Sequence, residues 1–91
     1  MSNITTKIWS KNLTSGSLEI TKEMGLTLVS IMLLSGGSGT ISGSATVGGQ
    51  NSDAAALVEN VPITFSSSGN YPLEGITITN SSGTIQIFAR V

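Results

Sequence analysis

Apolar side chains recur at every second position along much of this chain. The clearest run is Gly75 to Val91, where Ile76 and Ile78 alternate with Thr77 and Thr79. Asn80-Ser81-Ser82-Gly83 follows, and then Ile85, Ile87, Ala89 and Val91 alternate with Gln86, Phe88 and Arg90. Period-two alternation built on β-branched residues predicts two half-buried strands. A four-residue joint with Asn first and Gly last suits a type I turn closed at positive φ, so the pair is expected to form a β-hairpin. Its isoleucines need a second layer to cover them, with Leu26 or Leu28 opposite.

The same reading extends upstream. Ile4 to Trp9 predicts a strand with Ile4, Thr6 and Ile8 on one face and Trp9 on the other, ending in a loop at Lys11-Asn12. Ser17 to Thr21 predicts a short strand with Leu18 and Ile20 inward, and Lys22-Glu23 a turn. Gly25 to Leu34 is the most apolar strand, and its phase shifts near Val29 and Ser30, as at a bulge or under two-sided burial. Ser35-Gly36-Gly37-Ser38-Gly39 is expected to be a mobile loop, and Thr40 to Val47 a strand with small inward residues. Gly48 to Asp53 and Ser66 to Pro72 are further polar loops. Between them, Ala56 to Val58 predicts a short strand, and Pro62 makes the Val61–Phe65 strand start late or lie at an edge. The sum is an all-β, single-domain β-sandwich or partly open barrel of about seven to eight short, mostly antiparallel strands over residues 1–91. Residues 1–10 form either its first strand or an extended arm.

Charge changes this picture most. Only 10% of the 91 residues are charged, against a usual share of about 25%, and the net charge is -1. Ser, Thr and Gly take up the difference, which leaves a polar surface with little repulsion against self-association. Lys7, Lys11, Lys22 and Arg90 are the only cations and form no run, so a nucleic-acid partner is not expected. The longest apolar segment, Met24 to Leu34, is eleven residues, well short of the ~20 a membrane helix needs. No secretory signal is visible at the N-terminus, and a cytosolic product, or one that leaves the cell by lysis rather than secretion, is expected.

Candidate chemistry is sparse. With no Cys and no His, disulfides and the usual structural zinc sites are excluded, and no cofactor is expected. Glu19, Glu23, Asp53, Glu59 and Glu74 are scattered over a strand and several turns, which favours solubilising charges over an acid–base pair. Serines are many, but no His or placed Lys activates one. The Gly-rich stretches lack the spacing of a phosphate loop. An enzyme is therefore not expected. The candidate contact residues are Ile4, Ile8 and Trp9 near the N-terminus and Tyr71 in the third polar loop. The three polar loops with Trp9 and Tyr71 also allow a small carbohydrate- or receptor-binding module.

The second half, V-P-I-T-F, a loop, and then Y-P-L-E-G-I-T-I-T-N-S-S-G-T-I-Q-I-F-A-R-V, resembles small Ser/Thr/Gly-rich β-sandwich accessory proteins of tailed bacteriophage heads or tails. The likeness spans Val61 to Val91 and is a pattern of strand and turn. It implies a non-enzymatic virion component acting in many copies, a homo-oligomer partnered by itself and by capsid or tail subunits, with no nucleic acid or membrane involved.

Overall fold

The computed structural model describes residues 8–43, 46–47, 50–51, 53–67 and 71–91. The described strands are β1 (Ile8–Leu13), β2 (Gly16–Ile20), β3 (Leu28–Leu33), β4 (Ser38–Gly43), β5 (Thr46–Val47), β6 (Gln50–Asn51), β7 (Ala55–Ala56), β8 (Ile63–Ser66), β9 (Ile76–Ser82) and β10 (Ile85–Arg90). A single 3-10 turn, Lys22–Met24, follows β2 and is closed by Gly25 at φ 67°.

Eight strands form two four-stranded sheets, in the orders β1-β10-β3-β8 and β2-β9-β4-β7; β5 and β6 make a separate two-residue ribbon. Every strand pair is antiparallel. Apart from the step from β4 to β7, each connection among the eight carries the chain from one sheet to the other. Two interleaved Greek keys in this order are the topology of the double-sheet jelly roll.

The alternation sets which side chains enter the space between the sheets. On the first sheet, Trp9, Ala89, Val29 and Phe65 share one inward row, and Lys11, Ile87, Ile31 and Ile63 the next. On the second, Leu18, Ile78 and Ile41 lie side by side. Ile20, Leu26, Val29, Ile78, Ile85 and Ile87 are fully buried in one cluster, with Trp9, Ile41, Ile63, Leu73 and Ile76 packed against it. The four isoleucines of the last two strands therefore do face one core, with Leu26 in it.

They do so by a different arrangement from the expected hairpin. β9 pairs with β2 and β4, whereas β10 pairs with β1 and β3, so the two strands sit in opposite sheets. β9 runs on through Asn80-Ser81-Ser82, and the chain turns a corner at Gly83, φ 72°. The side-chain amide of buried Asn80 holds that corner: Nδ2 donates to the carbonyls of Leu13 (2.7 Å) and Gly83 (3.1 Å). Alternation specifies which face of a strand is apolar but not which strand lies beside it, and placing the two strands in facing sheets lets their apolar rows cover each other.

Three local expectations also change. β1 continues through Lys11 and Asn12, because the inward residue that closes this end is the buried Leu13; residues 1–7, and with them Ile4, lie outside the described residues. The Gly-rich stretch is a turn only as far as Gly37: Ser38 and Gly39 open β4, and Gly39 is buried. A Cβ at Gly39 would lie 2.7 Å from both Ile85 Cδ1 and the Thr79 carbonyl oxygen, so glycine is there for close approach between the sheets. Of the two readings of the phase shift near Val29, a bulge is absent from the β3–β10 ladder, which keeps one register, while burial reaches both faces, with every β3 residue buried or half-buried; a register shift falls between Ser38 and Gly39 instead. Pro62 acts as expected, since β8 starts just after it and lies at a sheet edge. Of the polar loops, residues 48, 49, 52 and 68–70 lie outside the described residues, as do 44 and 45 of the predicted Thr40–Val47 strand.

Candidate functional site

The four candidate contact residues do not come together as one patch. Ile8 is 73% exposed and points to the outer face of the first sheet, in a row with Arg90, Leu28 and Ser66. Trp9, its neighbour in sequence, points the other way and is partly buried against the core. Tyr71 is 80% exposed, in the segment between β8 and the backbone bond from Leu73 N to Leu26 O. Ile4 lies outside the described residues. The burial of Trp9 follows from strand parity: residues 9, 11 and 13 share the inward phase with Leu13.

Phe88 is an exposed candidate that sequence reasoning passed over. It is 47% exposed in the middle of the outer face of the first sheet, flanked by Ser10 on β1 and Ser30 on β3. Its parity could have signalled this, because it shares a phase with Gln86 and Arg90 and opposes Ile85 and Ile87. Across this face run the rows Ser10–Phe88–Ser30–Thr64 and Asn12–Gln86–Met32, in which the Ser30 and Thr64 hydroxyls hydrogen-bond at 3.1 Å. Over these two rows and the Ile8–Arg90–Leu28–Ser66 row beside them, Arg90 is the one charged side chain. The face is thus a broad, polar and nearly uncharged sheet surface with an aromatic ring at its centre.

The sheet edges differ in how they are guarded. β7 is two residues long, β8 is short and preceded by Pro62, and β2 carries the outward Glu19. β1 has six residues, no proline and a single charge, Lys11. Among the described residues no strand pairs with its outer edge. Long edges without proline, bulges or several charges are the ones that recruit another strand.

Two clefts lie at the end of the sandwich away from the Gly83 corner. One, of about 170 Å³, is lined by Ile41, Ser42, Gly43, Asp53, Phe65 and Ile76 and is mostly apolar. The other gathers Glu19, Lys22, Glu23 and Glu74 beside the 3-10 turn. Among the described residues no three Asp or Glu side chains are grouped so as to hold a metal ion. No described helix is long and apolar enough to cross a membrane.

Comparison with protein-family models, with curated proteins and with solved structures finds no match to this chain.

Proposed function

We propose that this protein is a non-enzymatic structural component of a bacteriophage particle, an accessory protein of the head or tail that acts in many copies through strand and apolar contacts. The observation that carries the reading is the strand order. Double-sheet jelly rolls of eight strands serve as capsid and lectin domains, so the fold admits a shell-building role by analogy. The nearly uncharged outer face around Phe88 and the open β1 edge supply contact surfaces of the kind such a role uses. The resemblance of residues 61–91 to phage accessory proteins points the same way.

The test is co-sedimentation of the purified chain with heads and tails assembled from proteins of the same genome. Saturable binding at many copies per particle is expected, and it should survive moderate salt. A chain that binds neither heads nor tails would remove the reading.

Lectin domains share the architecture, which keeps a carbohydrate-binding reading alive, and exposed Tyr71 is the observation in its favour. The inward Trp9 weighs against it, because its ring is partly buried against the core at the sheet edge and leaves only part of its surface for a sugar. A glycan array separates the two: hits lost on Tyr71→Ala would favour the lectin.

A further inference from the structure

We propose that the β1 edge binds the β1 edge of a second copy of this chain, antiparallel about a two-fold axis at Ser10, joining two four-stranded sheets into one of eight. The inference deepens the multicopy reading above and rests on it.

The register follows from elementary sheet geometry. In an antiparallel pair, residues directly opposite each other point to the same face, so a two-fold axis must place one residue against its own copy. Within β1, only Ser10 and Lys11 are central enough to keep most of the strand paired. Lys11 at the axis would set two ammonium groups opposite each other, which destabilises the pairing. Ser10 at the axis sets two small hydroxyls together. It also places Trp9 of each copy opposite Lys11 of the other, a cation–aromatic pair occurring twice. On the outer face, Ile8 then meets Asn12 of the other copy, and both copies of Phe88 lie on one continuous surface. The partner is therefore argued from charge as well as from the open edge: the single cation of the strand finds an aromatic ring in the favoured register and its own like charge in the other.

The absence of cysteine makes the register directly testable. At Ser10→Cys the two thiols would sit across the axis with Cβ atoms about 4.5–5.5 Å apart, close to disulfide reach. At Asn12→Cys they would be separated by four residues along the strands, beyond any bridge. Expected results are a concentration-dependent dimer of the unmodified chain in sedimentation, and rapid oxidative cross-linking of Ser10→Cys but not of Asn12→Cys. Lys11→Glu should weaken the dimer about five- to thirty-fold and Lys11→Arg should preserve it, a comparison that stands even if Ser10→Cys folds poorly. A chain that stays monomeric at all concentrations, or cross-links equally at both positions, overturns the proposal. If that monomer still co-sediments with heads or tails, the virion reading stands without the edge; if it binds neither, both fall.

Discussion

Single residues at the Gly83 corner set how closely the two sheets can meet. The Asn80 amide serves two backbone carbonyls that would otherwise be left without it, while its own Oδ1 is buried with no hydrogen-bond partner. Asn80→Ala is expected to cost about 1–3 kcal/mol in urea unfolding, the usual loss when buried polar groups lose a partner. Gly39→Ala is expected to cost about 1–3 kcal/mol by overpacking, since its new methyl would press on Ile85 and the β9 backbone. A variant as stable as the parent would mean that the sheets can separate at this point. Asn80 and the glycines stood plainly in the sequence, but as turn and loop signals. Gly39 meets Thr79 and Ile85, 40 and 46 positions on, and Asn80 meets Leu13, 67 positions back, which no local pattern reports.

At the scale of elements, each strand depends on partners distant in sequence. β9 and β10 are consecutive yet share no ladder, so a peptide spanning Gly75–Val91 should be unstructured in water by circular dichroism and NMR. A stable hairpin from that peptide would contradict the assignment of the two strands to opposite sheets. Within the whole chain, Ile85→Ala should cost about 2–5 kcal/mol, because the side chain is fully buried and its removal leaves a cavity. Phe88→Ser should leave stability nearly unchanged in urea unfolding, since the ring is half exposed on the outer face, and on the proposed virion reading it should weaken co-sedimentation with heads or tails. Deleting residues 1–10 should sharply destabilise the fold. It removes half of β1, its pairs with Phe88–Arg90, and the Trp9 ring from the core. A truncated chain that kept its fold would make this segment an arm rather than a strand.

At the scale of the molecule, the low charge bears on assembly more than on the fold. With a net charge of -1 and few cations, long-range steering is weak, so association should change little between low and moderate salt. Binding that collapses over that range would show that a charged patch carries the contact.

The order of apolar and polar residues by itself determined that the chain is all-β, where most strands lie and which face of each is buried, because a side-chain period of two is a local property of extended backbone. Ile76, Ile78, Ile85, Ile87 and Ile20 were legible as core on that ground alone, whereas the choice of Leu26 over Leu28 was made by the structure. Parity put Ile8 and Trp9 on opposite faces, but the tertiary structure decided that Trp9 is the inward one. Only the tertiary structure decided which strands are neighbours, that the last two face each other across the core, and that Gly39 is buried between the sheets. It also decided which strands lie at the sheet edges among the described residues. Sheet partners are chosen by burying two apolar faces against each other at once, and that choice is made by the whole chain rather than by any stretch of it.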